Sequence, residues 1–240
     1  MLSVENVRKE FGAQAILDGA SMAVASGEIV GLVGPSGCGK STLLRCIQGL
    51  ETIGGGKIVV GGRAGFMFQD FQLFPHMTAL KNVSYAANLR TNRSFSATAD
   101  GVRKILEHLG IWDLRDRRPR SLSGGQKQRV AMARTLALNP DLILCDEPTS
   151  GLDEDSTADV ANLLRSVVSS RKAVLIASHD MDFLAAAADR VLLLKNGKIV
   201  PSAAPKKQQG HCDGKPRSQR HVAENRNGAA RRLEFRNCNA

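Results

Sequence analysis

The run Gly34-Pro35-Ser36-Gly37-Cys38-Gly39-Lys40-Ser41-Thr42 has the residue types and spacing of a phosphate cradle. Its three glycines let the backbone curl so that several N–H groups point inward. A helix beginning at its end adds a partial positive charge. Lys40 can reach the outer phosphates of a nucleoside triphosphate, and the Ser41 hydroxyl is placed to ligate magnesium. Ile29-Val30-Gly31-Leu32-Val33 before it reads as a strand, and Leu43-Leu44-Arg45-Cys46-Ile47 after it as a helix.

Two further groups carry chemistry. Leu142-Ile143-Leu144-Cys145-Asp146-Glu147 is an apolar strand ending in two carboxylates. At a strand end beside a phosphate loop, Asp146 can hold magnesium through water. Glu147 can act as general base toward the water that attacks a γ-phosphate, a role that contributes about 10²–10⁴-fold. The second group is Ser121-Leu122-Ser123-Gly124-Gly125-Gln126-Lys127-Gln128-Arg129. Ser123 is a helix N-cap by type and position, and two glycines at a helix start let an oxyanion approach the backbone.

The elements that must position these groups alternate. Leu2 to Val7, Ile16 to Val24 and Ile29 to Val33 read as strands, with Phe11-Gly12 as the first turn. Gly54-Gly55-Gly56 breaks the chain, and Lys57 to Val60 and Ala64 to Phe68 read as strands flanking Gly61-Gly62. Helices are predicted from Thr78 to about Leu89 and from Thr98 to Leu109, the latter with Val102, Ile105, Leu106 and Leu109 on one face. Val160, Leu163, Leu164, Val167 and Val168 mark another amphipathic helix. Ala173 to Ala177 is a strand, Met181 to Ala188 a helix and Val191 to Leu194 a strand. Such alternation predicts an α/β fold with a mostly parallel sheet and helices on both faces. An antiparallel β start and a helical middle are added to it.

At 240 residues, 42% hydrophobic and 23% charged, the composition is that of a soluble globular protein. No apolar run approaches the roughly 20 residues needed to span a bilayer, and the first ten residues lack a signal-peptide core. Five cysteines (Cys38, Cys46, Cys145, Cys212 and Cys238) without C-x-x-C spacing fit reduced thiols better than disulfides or zinc. The net charge of +10 is uneven: residues 201–240 hold nine Lys or Arg against three acids. That composition predicts a disordered basic tail.

Leu122-Ser123-Gly124-Gly125-Gln126 resembles the signature of ATP-binding cassette (ABC) transporter ATPases. Met67-Phe68-Gln69-Asp70 is similar to the family's Q-loop, Ser150-Gly151-Leu152-Asp153 to its D-loop, and Ala177-Ser178-His179-Asp180 to its switch histidine segment. The resemblance covers residues 1–200, and the motifs fall in the family's order. It implies a P-loop NTPase core with an antiparallel β subdomain and a helical subdomain over about residues 75–130. It implies ATP and Mg2+ as cofactors, with Phe11 on the adenine ring and residues 34–42 on the phosphates. Gln69 joins Ser41 and Asp146 at the metal. Gln69, His179, Glu147 and Lys40 are the catalytic set. A homodimer follows from the same resemblance, with Ser123, Gly124, Gly125, Gln126 and Asp153 acting on the ATP of the other copy. A permease subunit is expected to contact Phe71 to Leu80, with a solute-binding protein as an indirect partner. The expected place is the cytoplasmic face of the cell membrane.

The wording of residues 71–80 is most similar to polar amino-acid importers. An export or lipid-extraction ATPase, or a soluble ATPase acting on nucleic acid or ribosomes, stays open as an alternative. Nucleic acid is not the expected partner. Two departures from the family stand out. The span from Lys40 to Gln69 is short, which predicts a trimmed antiparallel subdomain, and after Val200 the chain turns into the basic tail.

Overall fold

The computed structural model describes residues 1–90, 95–168 and 172–201. The predicted basic tail therefore lies outside the described residues, apart from Pro201. Among the described residues no helix is long and apolar enough to cross a membrane.

The chain opens with β1 (Leu2–Phe11) and β2 (Gln14–Val24), an antiparallel hairpin turned at Gly12, whose φ is 59°. Both strands are longer than predicted, because exposed polar residues continue the ladder beyond the apolar alternation. Then come β3 (Ile29–Val33), α1 (Lys40–Gln48), β4 (Gly55–Val60) and β5 (Ala64–Met67). The segments flanking Gly61-Gly62 do not pair with each other. β4 joins β1 antiparallel, Leu2 opposite Val60, whereas β5 joins β6 (Leu142–Asp146) in parallel, Ala64 opposite Leu142. Arg63 fixes this crossover: its carbonyl accepts from the N–H of Asp141 at 2.8 Å, and its own N–H donates to Asp141 Oδ2 at 2.8 Å. Despite the short span, a three-stranded sheet of order β2-β1-β4 remains.

The middle of the chain is helical: α2 (Ala79–Arg90), α3 (Phe95–His108), two 3₁₀ turns at Trp112–Leu114 and Pro119–Ser121, and α4 (Gly124–Ala137). The chain then runs through β6, α5 (Glu154–Val168), β7 (Ala173–Ala177), α6 (Met181–Ala187), β8 (Arg190–Lys195) and β9 (Lys198–Pro201). The second sheet has the order β5-β6-β7-β3-β8-β9, parallel except for the β8–β9 hairpin. β9 escaped the sequence reading; four residues, three of them exposed, carry little periodic signal. Its two-residue turn is Asn196-Gly197, both at positive φ, as a tight hairpin with right-handed twist requires.

β3, β6 and β7 are buried on both faces, which is why they read as unbroken apolar runs. Their side chains alternate between two cores. Ile29, Ile143, Cys145, Val174 and Ile176 face the helices α2 to α6. Val30, Leu32, Leu142, Leu144 and Leu175 face α1 and the antiparallel strands. The predicted faces of the helices hold: Val102, Leu106 and Leu109 are buried, as are Val160, Leu164 and Val167. A parallel sheet of this kind brings the carboxyl ends of β3, β5, β6 and β7 to one edge, where ligands bind.

Candidate functional site

At that edge the loop after β3 is forced to be glycine-rich. A Cβ on Gly34 would lie 2.5 Å from the Leu194 carbonyl oxygen, and one on Gly39 would lie 2.8 Å from Ile16 Cγ2, at a φ of 104°. Lys40 begins α1, and its side chain turns back over the loop. Its Nζ donates to the Gly34 carbonyl at 2.8 Å and the Pro35 carbonyl at 3.4 Å, and stands 3.8 Å from Glu147 Oε1. The ammonium is buried and, among the described residues, has one carboxylate within 4 Å, so its charge is free to act on a phosphate as well. Cys38 sits beside Gly34 and packs against the core. Cys145, in β6, is fully buried, and burial pushes its thiol up to about 12, so it is inert.

Ser41 donates from Oγ to Asp146 Oδ1 at 2.9 Å. A hydroxyl and a carboxylate in contact, with ligand phosphate oxygens to complete the shell, suit a hard divalent cation. Gln69, beyond β5, lines the same cleft but points its amide at Ser150 Oγ, 3.5 Å away. Burial raises the Asp146 carboxyl above its ordinary range, against the opposing bond from Ser41. The sign follows from linkage: a raised folded pKa favours the protonated form, and stability is lost as pH rises through it. Asp146→Asn should therefore raise the melting temperature of the nucleotide-free protein near neutral pH. The gain should vanish in acid, below the ordinary carboxylate range. Thermal melts across pH check this; an equal gain at every pH would point to packing instead.

Glu147 follows β6 at a φ of 47°, a left-handed conformation rare for this residue type. Its N–H donates to the Ala177 carbonyl at 2.8 Å, so the ladder to β7 runs one residue past the strand. The bend aims the carboxylate into the cleft. Oε2 faces His179 Nδ1 at 2.9 Å and accepts from Ser178 Oγ at 3.2 Å and the His179 N–H at 3.4 Å. Ser178 was missed by sequence reasoning; its signal is a small polar residue between a buried strand and His179. Phe11 ends β1 with its ring about half exposed, and the Lys9 ammonium lies 4.7 Å from the ring centre.

These groups enclose a cleft of about 360 Å³ that Phe11, Ser36, Gly37, Gly39, Lys40, Ser41, Thr42, Gln69, Glu147 and His179 help to line. The elements that would hold a triphosphate and its attacking water are thus together. Ser123, Gly124, Gly125, Gln126 and Asp153 are not among the lining residues. They form a separate group at the starts of α4 and α5. Ser123 Oγ accepts from the Gln126 N–H at 3.3 Å, and Gln126 Oε1 accepts from the Ser123 N–H at 3.0 Å, a reciprocal cap. Gln126 is thus engaged in holding Ser123. The cap leaves the Ser123 hydroxyl hydrogen without an acceptor among the described residues. Asp153 caps α5, accepting from the Ser156 N–H at 2.8 Å, a bond that holds its carboxyl below the usual range. A Cβ on Gly125 would touch Ser156 Oγ at 3.4 Å, which puts the two caps side by side. Gln128, buried in α4, donates to the Pro148 carbonyl and so ties this group to the segment after Glu147.

The Q-loop segment has its own fastenings. Arg134 in α4 donates from its guanidinium to the Phe71 carbonyl at 2.8 Å and the Gln72 carbonyl at 2.6 Å. Burial lowers its pKa, and the Asp70 carboxylate opposes the shift. Arg134 was not singled out in the sequence, whereas Phe71 and Gln72 were, as the start of the expected permease contact.

Residues 17–150 match the ABC transporter family. An arginine transport ATP-binding protein of Bacillus subtilis is 40% identical over 86% of this chain and 92% of its own length. A glutamine transport ATP-binding protein of Escherichia coli is 37% identical over 85% and 92%. Among solved structures, an ATP-binding cassette dimer in a post-hydrolysis state bound to ADP and Pi gives a TM-score of 0.73 at 30% identity, covering 83% of this chain and 96% of that one. A dimeric bacterial ABC transporter cassette gives 0.75 at 31% identity, with the same coverage. With that match over more than half of its length and relatives at 40% and 37% identity, the chain belongs to the ABC transporter family, as one of its ATP-binding ATPase cassettes.

Proposed function

We propose that the chain is the ATPase subunit of a membrane importer for polar amino acids and that it works as a homodimer. The observation that carries the dimer is the separation of the two anion-binding groups. The cleft holds the cradle and Glu147, while the cap at Ser123-Gly124-Gly125 is not among its lining residues and has a hydroxyl hydrogen with no acceptor among the described residues. A second copy, related by a two-fold axis, would bring its cap over the first copy's cleft and receive the reciprocal contact. ATP then joins two electropositive surfaces, and cleavage of its γ-phosphate weakens the joint.

Within the closed site each side chain has a task. The loop amides and Lys40 neutralise the outer phosphates. Ser41, Asp146 and Gln69 would hold magnesium, which supplies neutralisation of the charge on the phosphate oxygens. Glu147 takes the proton of the attacking water, and His179 holds both that carboxylate and the γ-phosphate. Asp153 lies next to the cap and supports it. Phe11 stacks on the adenine.

A groove of about 360 Å³ supports the permease contact. Leu50, Phe68, Phe74, Tyr85 and Leu89 help to line it, and Leu89 is 70% exposed. Exposed apolar side chains around a concavity mark a partner site. Of the predicted stretch, Phe71, Leu73 and Leu80 pack on the core, whereas Gln72 and Phe74 reach the groove. Relatives named for the transport of arginine, glutamine and cystine support a polar amino acid as the cargo class. Through its permease the chain would sit at the cytoplasmic face of the membrane, with a solute-binding protein beyond.

The test is co-expression with a candidate permease subunit of a polar amino-acid importer from the same genome. The wild-type pair should co-purify and accumulate radiolabelled polar amino acids in right-side-out vesicles when ATP is enclosed. Tyr85→Glu with Leu89→Glu should abolish co-purification and keep ATP binding. ATP-driven loss of preloaded amino acid from the same vesicles would overturn import.

A further inference from the structure

We propose that Arg134 is a positioning residue for the ATPase reaction: it sets Gln69 from the far end of the signature helix. It rests on Gln69 serving the nucleotide site as proposed above. Phe71 and Gln72 have φ values of 60° and 44°, so two consecutive side-chain-bearing residues sit in the left-handed region. Such a bend persists only where its surroundings hold it. The guanidinium of Arg134 holds it by both carbonyls. Its cationic centre also stands 5.9 Å from the Phe74 ring centre.

The next turn of chain is held from another helix. Asn82, fully buried in α2, accepts from the Phe74 N–H at 2.8 Å and donates from Nδ2 to the carbonyls of Phe74, Met77 and Thr78. The loop from Gln69 to Thr78 is therefore braced between α4 and α2. Gln69 lies two residues before the bend and in the nucleotide cleft. The other end of α4 is the Ser123 cap. Thr135, next to Arg134, donates to the Ala131 carbonyl at 3.0 Å and lies 3.4 Å from the carbonyl of Phe66 in β5, which keeps this end of α4 against the core. One rigid helix thus carries the cap for one ATP and the clamp that orients Gln69 at another. Arg134 and Gln72 also line the apolar groove, so an occupant of that groove would act directly on the clamp.

Lysine cannot reproduce the fork of two parallel N–H donors. With the full-length chain, Arg134→Lys should lower kcat about tenfold and leave the KM for ATP within about twofold. The magnesium concentration for half-maximal activity should rise several-fold. The decisive arm is a double-mutant cycle with Gln69→Ala. Acting through Gln69, Arg134→Lys should add nothing in the Gln69→Ala background. Equal losses in both backgrounds, or an unchanged kcat in the single variant, would overturn the proposal. Should Arg134→Lys fail to fold, Phe71→Gly with Gln72→Gly loosens the bend from its own side. That variant should show the same kcat loss, again absent in Gln69→Ala, and full activity would sink the idea. A Gln69→Ala protein with normal turnover would instead refute the role given to Gln69, separately from Arg134.

Discussion

Glu147→Gln should bind ATP as tightly as the native protein or more so, lose about 10²–10⁴-fold of its turnover, and accumulate as an ATP-bound dimer. The substitution keeps the shape of a side chain that is buried and shared among Ser178, His179 and Lys40. The amide oxygen can still accept from Ser178 and His179, so the packing of the cleft survives. What disappears is a base able to take a proton from water. The lost negative charge also removes repulsion toward the γ-phosphate, which stabilises the closed state. Phosphate release and size-exclusion chromatography with ATP read the two effects. A Glu147→Gln protein with native turnover would withdraw the base from this position.

Lys40→Ala should have the second large effect, on binding as well as chemistry. The ammonium is already held over the loop by the Gly34 and Pro35 carbonyls, so little reorganisation is needed when phosphate arrives. Hydrogen bonds to charged groups are worth about 1.5–3 kcal/mol, so ATP affinity should fall roughly ten- to a hundredfold. Losing a donor aimed at developing charge should cost a further 10²–10³-fold or so in kcat. Alanine also leaves Glu147 without the lysine ammonium beside it. Titration with a fluorescent ATP analogue and steady-state kinetics separate the two losses. Unchanged affinity and rate would show that the loop amides suffice.

The phosphate loop was legible in the sequence because its chemistry and its backbone demand the same residues. Gly34 and Gly39 are set by close contacts and by φ, and Lys40 by charge. The buried strands ending at Asp146 and Ala177 were legible because two covered faces leave uninterrupted apolar runs. The crossover at Gly61-Gly62 was not, since its outcome depends on Asp141, far along the chain. The Arg134 clamp was hidden for the same reason: one arginine in a helix says nothing of carbonyls more than sixty residues earlier. The left-handed Glu147 was equally silent, because its strain is held by Ala177 and not by its neighbours in sequence. Local chemistry declares itself in order, whereas bracing between elements exists only once they pack.

The most direct measurement mixes two inactive proteins. Lys40→Ala breaks the cradle, and Gly125→Asp places a repelling carboxylate at the cap. If each ATP lies between one copy's cradle and the other's cap, a mixed pair has one site with both defects and one site intact. Mixing equal amounts should restore about a quarter of native turnover per chain, the share of intact sites under random two-fold pairing. A mixture that stays as inactive as its components would contradict the shared site.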